Sequence, residues 1–344
     1  MRSERTSIKV EPVIASQSHD SNRSVFENNR IIRSVKAFFL RDNALLALAF
    51  ILMIAYFAWE LDYFFTKVNS ITILQYSAVT FISGAGFAIV LIGGGLDLSV
   101  GSAMMVVGVV TGKIFLAGVP LPLCLVIGVI VGITIGFING LLVSKARINP
   151  LIVTLGMMFV LRGIGFDLVD GRHTRIRDDG YRWARERIGG VPVVVYILFA
   201  VALISIAMLR YTKLGRLIYS VGGNPEAARQ AAINVDRFRL GLYTLAGLYF
   251  GFAGIILGSM LGAVAPNSGT GRELVIATAV FLGGASLKGG KGSVAGTLIG
   301  VLFVTALANG VTQMQIIPEV VMVLNGVLLI GAVAFDQRPK GGYR

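Results

Sequence analysis

Ten long apolar runs constrain this chain more than any other feature of its 344-residue sequence. Runs of about 18 or more uncharged apolar residues are typical of helices that cross a membrane, because a helix bonds its backbone polar groups internally. We predict an all-α polytopic membrane protein with about ten transmembrane helices, in which the short eighth run forms a half-span or lies inside the bundle. The runs lie at about 44–63, 71–94, 99–117, 122–144, 150–169, 191–209, 240–263, 274–286, 294–311 and 317–335.

The composition excludes several other classes of protein. Charged residues make up 14% of the chain, whereas a soluble domain carries about a quarter, so a soluble enzyme is excluded. Cys124 is the single cysteine and lies in an apolar run, which predicts a small buried thiol. His19 and His173 lie outside the runs, and the motifs HExxH and GxSxG are absent. We therefore expect no catalytic residue, no metal site, no cofactor and no enzymatic activity in this chain.

The positions of lysine and arginine predict the orientation in the membrane. With both termini in the cytoplasm, 21 of the 31 basic residues fall on the cytoplasmic side and eight outside. Residues 1–40 then form a flexible basic tail, whose scattered charges favour anionic lipid over nucleic acid. Residues 41–336 form the transmembrane domain, and residues 337–344 form a cytoplasmic C-terminal tail.

Glycines recur every four residues along two of the runs, with one step of three in the second, which places each series on nearly one helix face. A face of this kind lets a second backbone approach closely, so we expect tight helix packing, with a glycine-lined conduit as the alternative. The two series are Gly128, Gly132, Gly136 and Gly140, and Gly247, Gly251, Gly254, Gly258 and Gly262.

The segment GGGLDLSVGS (93–102) joins the second and third runs. Its glycines end one helix and allow a left-handed turn, after which Asp97 or Ser99 can cap the next helix. The alternative is a gating role near the cytoplasmic mouth, because an ionisable residue at the end of a span often has a function. The candidates for that role are Gly94, Gly95, Asp97 and Ser99.

The cytoplasmic segment 210–239 contains GGNPEAARQAAINVDRFR (222–239). Asn224 is placed to cap a short helix, with Pro225 at its first position and Glu226 near its positive end. The alanines that follow predict a small, smooth helix face that fits the groove of a partner protein. A second glycine-rich stretch, GASLKGGKGS (284–293), does not match the phosphate-binding pattern GxxxxGK[ST], so we expect no nucleotide binding there.

Several polar residues interrupt the apolar runs. Each either returns a hydrogen bond to its own helix, joins neighbouring helices or lines a translocation path. Lys113 is close enough to a helix end to extend to the surface, and Arg162 is expected to pair with Asp167 or a backbone carbonyl. The candidates for the path are Gln75, Asn139, Thr154 and Asn309.

The segment 222–239 resembles the cytoplasmic coupling segment of ATP-binding-cassette importer permeases. Over about residues 40–336 the chain resembles the monosaccharide (ribose, xylose, arabinose) permeases of these importers. The other motifs that carry this resemblance are GGGLDLSVGS (93–102), INPLIVTLGMMFVLRG (148–163) and LGGASLKGGKGSVAGTLIG (282–300). The resemblance implies a cobalamin-importer-like (type II) fold with an inverted repeat. It also implies a cytoplasmic ATPase, a periplasmic sugar-binding protein and a second permease copy or paralogue as partners, in the bacterial inner membrane. It assigns ATPase coupling to Asn224, Pro225, Glu226, Ala227, Ala228, Arg229, Ala231, Ala232, Ile233 and Asn234.

The sequence departs from that family pattern in two places. Members of the family usually have Ser-Gly where this chain has Ala231-Ala232, and we expect this difference to alter the backbone turn after the coupling helix. They usually have Asp where this chain has Val275, which removes a polar role there.

The leading hypothesis is the permease subunit of an ATP-driven importer that passes a monosaccharide, or a related small polyol, from a periplasmic binding protein into the cytoplasm. The alternative is an ion-coupled secondary transporter or channel for small polar solutes. That alternative needs ionisable residues within the spans, and the sequence offers few of them.

Overall fold

The computed structural model describes residues 44–336, so the predicted tails at 1–40 and 337–344 lie outside the described residues. The described chain is mainly helical, with four two-residue strands and one 3-10 helix, Gly180–Arg185. The helices are α1 (Ala44–Glu60), α2 (Lys67–Ile92), α3 (Val100–Leu116), α4 (Leu121–Ser144), α5 (Pro150–Asp167), α6 (Val193–Tyr211), α7 (Lys213–Gly223), α8 (Pro225–Gln230), α9 (Val235–Leu261), α10 (Arg272–Leu282), α11 (Val294–Gln313) and α12 (Pro318–Asp336). The strands are β1 (Thr174–Arg175), β2 (Arg187–Ile188), β3 (Val191–Pro192) and β4 (Ala263–Val264).

Each of the ten apolar runs forms a helix. Within residues 44–336, seven helices are long and apolar enough to cross a membrane, namely α2, α4, α5, α6, α9, α11 and α12. The apolar helices α1 and α3 have 17 residues each, and α10 has 11. The prediction of a helical polytopic membrane protein is confirmed, while the number of ten crossings stays a prediction.

Helices α2 and α9 form the centre of the bundle. α9 packs against α2, α3 and α4, and α2 also packs against α6 and α11. Phe81, Phe250 and Tyr243 are fully buried between these helices. In α12, by contrast, no residue is fully buried, so the side that does not pack on α10 and α11 is available to lipid or a second protein.

Gly132 and Gly136 of the first series pack directly against Gly247 and Gly251 of the second, which confirms the expected close approach of α4 and α9. A Cβ atom on Gly132 would lie 2.5 Å from the Cα atom of Gly251. A Cβ atom on Gly136 would lie 2.8 Å from the Cα atom of Gly247. At distances this short only the hydrogen atom of glycine fits, so Gly132 and Gly136 cannot be replaced by a residue with a Cβ atom unless the helices move apart.

The connections at one end of the bundle are held by short strands and the 3-10 helix. β1 pairs antiparallel with β4, and β2 pairs antiparallel with β3. The backbone N–H of Ala184 donates to Ser259 Oγ at 3.0 Å, which ties the 3-10 helix to the end of α9. Lys113 donates to the carbonyl of Leu168 at the same end, as expected of a lysine that extends beyond its helix.

Arg162 has a different partner from the one expected. Its Nη2 atom lies 2.6 Å from Glu273 Oε1, at the start of α10, and not beside Asp167. The two residues are 111 positions apart, so the pair exists only because the fold brings α5 to α10. Glu273 is 7% exposed and its Oε2 atom has no hydrogen-bond partner, whereas the Arg162 side chain is 26% exposed. The expected burial of Cys124 is confirmed.

Candidate coupling and gating site

The predicted start of the short cytoplasmic helix is confirmed. Asn224 precedes α8, and its side-chain oxygen accepts a hydrogen bond from the Ala227 N–H at 3.0 Å. Pro225 occupies the first helical position, where its missing N–H costs nothing. Asn234 caps α9 in the same way, because its side-chain oxygen accepts from the Arg237 N–H at 3.0 Å. The polar caps therefore fix both ends of a compact segment, residues 224–234, which we call the coupling segment.

The four alanines do not form one continuous helix face, and that part of the prediction is wrong. α8 ends at Gln230, after only six residues. Ala228 is 5% exposed and packs with Val221 and Val235, so it anchors the coupling segment to the rest of the domain. Ala227, Ala231 and Ala232 are exposed and remain available to a partner.

Charged side chains flank the exposed surface of the coupling segment. Arg229 forms an ion pair with Glu226, three residues before it, and lies 3.7 Å from Asp236 at the start of α9. Exposed pairs of this kind contribute little to stability. Their consequence is that the surface beside the exposed alanines carries both signs of charge.

Ala232 adopts a left-handed backbone conformation, with φ of 60°. It follows the helix end at the position where glycine is usual, and the N–H of Ile233 bonds back to the carbonyl of Ala228 at 3.0 Å. An alanine in this conformation is strained, because its Cβ crowds the following carbonyl oxygen. This is the position at which the sequence departs from the family's Ser-Gly.

We expect Ala232→Gly to stabilise the coupling segment by about 1 kcal/mol, because the relief of strain exceeds the added freedom of the unfolded chain. Hydrogen exchange of the amides in 225–233 would measure the change. Ala231→Gly is the matched control. Ala231 has φ of −82°, so glycine there is expected to destabilise the segment slightly. Equal effects of the two substitutions would contradict the strain at Ala232.

Asp97 lies in the α2–α3 connection, and the structure brings it together with Asn139 of α4. Asn139 Nδ2 donates to Ser99 Oγ at 2.9 Å and to Asp97 Oδ2 at 3.3 Å. Asp97 Oδ1 accepts from the N–H and the hydroxyl of Ser99, at 3.0 and 2.5 Å. All three residues are fully buried. A residue predicted for gating and a residue predicted for the path thus share one polar cluster.

The expected cap at the start of α3 is absent. Ser99 precedes the helix, but its side chain makes no capping hydrogen bond, and Asp97 bonds Ser99 instead of the first turn of the helix. Burial raises the pKa of Asp97 from 3.8 to about 6, while hydrogen bonds from Ser99 and Asn139 act in the opposite direction. The carboxyl is therefore fully buried and held by neutral hydrogen-bond donors.

Tyr243 of α9 holds the same connection from the other side. Its hydroxyl donates to the carbonyl of Leu96 at 3.0 Å and accepts from the Leu96 N–H at 3.2 Å. The sequence gives no signal for this residue, because a tyrosine within an apolar run looks like an ordinary core side chain. The α2–α3 connection is consequently fixed to both α4 and α9.

The remaining path candidates do not join this cluster. Thr154 bonds the carbonyl of Pro150 in its own helix at 2.9 Å. Asn309 and Asn69 exchange side-chain hydrogen bonds of 3.0 Å, which joins α11 to the start of α2. Gln75 is half-buried on α2. The structure thus brings only Asn139 into contact with the gating candidates.

Glycines from three separate motifs, in two turns and at one helix end, meet beside the coupling segment. Gly94 and Gly289, both left-handed with φ of 80° and 76°, contact each other, and both contact Gly222 at the end of α7. A Cβ atom on Gly289 would lie 2.7 Å from the Gly222 oxygen and 2.8 Å from the Gly94 Cα atom. The three motifs that were singled out separately in the sequence therefore form one backbone-to-backbone junction.

Comparison with known proteins assigns the chain to a family. Residues 69–333 match the family described as branched-chain amino acid transport system / permease component. The chain belongs to this permease family. As a permease component it is a multi-pass transport subunit and not an enzyme. No solved structure matches it.

Three characterised permeases illustrate the similarity. The ribose import permease RbsC of Escherichia coli K12 is 36% identical over 310 residues, which cover 89% of this chain and 96% of that protein. The fructose import permease FrcC of Rhizobium meliloti is 36% identical over 284 residues, covering 80% and 79% of the two chains. The D-allose permease AlsC of Escherichia coli K12 is 35% identical over 278 residues, covering 80% and 85%.

Proposed function

We propose that this permease is the membrane subunit of an ATP-driven importer that carries a monosaccharide from a periplasmic binding protein into the cytoplasm. The observation that supports it most is the coupling segment, which is capped, anchored by the buried Ala228, and exposes the small side chains of Ala227, Ala231 and Ala232. Such a surface fits a groove in a separate ATPase, and the relatives are named for ribose, fructose and D-allose. The family description names amino acids, but these relatives favour a sugar.

An inverted repeat accounts for the order of the helices, and we include it in the proposal. Helices α2 to α5 have 26, 17, 24 and 18 residues, and α9 to α12 have 27, 11, 20 and 19. Each set therefore begins with a long central helix and continues with a shortened one. Only α6 crosses the membrane between the two sets, so the second set starts on the opposite side of the membrane and runs in the opposite direction.

The positions at which the two shortened helices, α3 and α10, begin also support this symmetry. Gly101 in the first turn of α3 contacts Gly269, just before α10, and a Cβ atom on Gly101 would lie 2.6 Å from the Gly269 oxygen. The starts of two broken helices thus meet inside the bundle, which is the arrangement that inverted-repeat transporters use near the bilayer centre. Gly101 also faces Glu273, the partner of Arg162.

The proposed orientation places the coupling segment in the cytoplasm, with both termini on that side of the bacterial inner membrane. The distribution of basic residues supports it, because the segment 210–239 contains six of them. The strand pairs and the 3-10 helix then face the periplasm, where a binding protein would dock. A second permease copy or paralogue would complete the transport unit.

The proposal predicts a specific effect of bulk and charge on the exposed alanines. Ala227→Glu and Ala231→Arg are expected to abolish co-purification with the ATPase and sugar uptake, because a desolvated contact would bury an unpaired charge at a cost of several kcal/mol. Membrane levels should be unchanged, since both side chains are exposed. Ala227→Ser, which keeps the side chain small, is the matched control.

Two results would overturn the proposal. Uptake that continues in the absence of any ATPase, but collapses with the ion gradient, would support the ion-coupled transporter instead. Normal ATPase binding and uptake in both charged variants would show that this surface does not couple to an ATPase.

A further inference from the structure

Helix α7, which leads directly into the coupling segment, is tied to two turns that are far apart in sequence. The Gly290 N–H donates to the carbonyl of Ile92 at 2.7 Å, which joins the α10–α11 turn to the end of α2. Tyr219, on α7, donates from its hydroxyl to the carbonyl of Gly292 at 2.8 Å. Gly222 packs against both turns where they meet, and a Cβ atom on it would collide with the Ile92 carbonyl oxygen. One short helix therefore contacts both turns through backbone atoms.

Contacts of this kind transmit displacement efficiently. A side chain can change rotamer and absorb a small shift, whereas two backbones in contact cannot. The side chains of Val221 and Ala228 are buried together in one small cluster, so α7 and α8 move together as one unit. A shift of α8 therefore reaches Gly222 with little loss.

We propose that Tyr219, Gly222 and Gly290 are positioning residues that convert movement of the coupling segment into movement of both turns. This inference rests on the proposed function, because it requires an ATPase that moves α8. After the turn at Gly94 the chain continues to Leu96, which bonds Tyr243, and to Asp97, which bonds the buried Asn139, and then enters α3. The turn at Gly290 leads to Ser293, whose hydroxyl accepts from the Gly296 N–H at 2.9 Å at the start of α11. One movement thus displaces the starts of α3 and α11, which belong to different halves of the proposed repeat.

The test measures sugar transported per ATP hydrolysed by the complete transporter in proteoliposomes, with ribose, fructose and D-allose as probes. Tyr219→Phe removes one hydroxyl and keeps the ring. We expect it to lower the ratio about fivefold, the size expected when one hydrogen bond is lost, while ATPase co-purification stays normal. Gly222→Ala should lower the ratio further, because its Cβ displaces the Ile92 carbonyl. Gly223→Ala is the matched control, because its Cβ would lie 3.9 Å from the nearest atom, Gly290 Cα.

The possible outcomes separate this inference from the proposed function. A wild-type chain that binds no ATPase refutes both the proposed function and this inference. A wild-type transporter that couples normally, with an unchanged ratio in Tyr219→Phe, refutes the junction alone, even if Gly222→Ala fails to fold. A lowered ratio in Tyr219→Phe, with unchanged ATPase binding and an unaffected Gly223→Ala control, supports the junction.

Discussion

Gly132→Leu is expected to prevent assembly of the helix bundle. A Cβ atom at this position would lie 2.5 Å from the Gly251 Cα atom and 2.6 Å from the Gly247 oxygen. The obstacle is the backbone of α9, which cannot rotate away, so the helices must separate along their contact. Overpacking of a core typically costs about 1–3 kcal/mol, and we expect this substitution to exceed that range.

The measurement is the amount of protein in the membrane and its thermal unfolding in detergent. Gly326→Leu is the matched control, because Gly326 lies on the exposed surface of α12 and a Cβ atom there has no neighbour within 4 Å. We expect the control to reach wild-type levels. Normal assembly of Gly132→Leu would show that α4 and α9 tolerate a wider separation than the structure has.

Glu273→Leu is expected to destabilise the protein by about 3–5 kcal/mol, the usual cost of removing one partner from a buried ion pair. Arg162 Nη2 lies 2.6 Å from Glu273 Oε1, and the guanidinium would lose its counter-charge inside the bundle. The partly exposed arginine can reach toward its surroundings, which places the expected effect at the lower end of that range.

A double-mutant cycle tests whether the pair itself is responsible. Arg162→Met alone should also destabilise, because it leaves the Glu273 carboxylate buried without its cation. Combining it with Glu273→Leu should restore much of the lost stability, as apolar replacements of buried ion pairs often do. Additive losses in unfolding experiments would show that the two residues act independently.

The local features of the coupling segment could be predicted from the sequence, whereas its orientation could not. The cap at Asn224 follows from residues within one helical turn, so neighbouring sequence is sufficient to identify it. Ala228 is buried because it packs against Val221 and Val235 on adjacent helices. Ala227 and Ala228 have the same hydropathy, so the sequence cannot indicate which of the two is buried. For the same reason the strain at Ala232 becomes visible only from its backbone angle.

What the sequence determined by itself is the set of helices and the faces that carry glycine, because hydropathy and four-residue spacing are properties of contiguous chain. Only the tertiary structure decided which distant groups meet. It paired Arg162 with Glu273, placed Asp97 against Asn139, and brought Gly222 against the turns at Gly94 and Gly289. The physical reason is that a carboxylate, an amide or a bare backbone can pair with many partners of similar strength. The packing of the helices that carry these groups selects one partner for each.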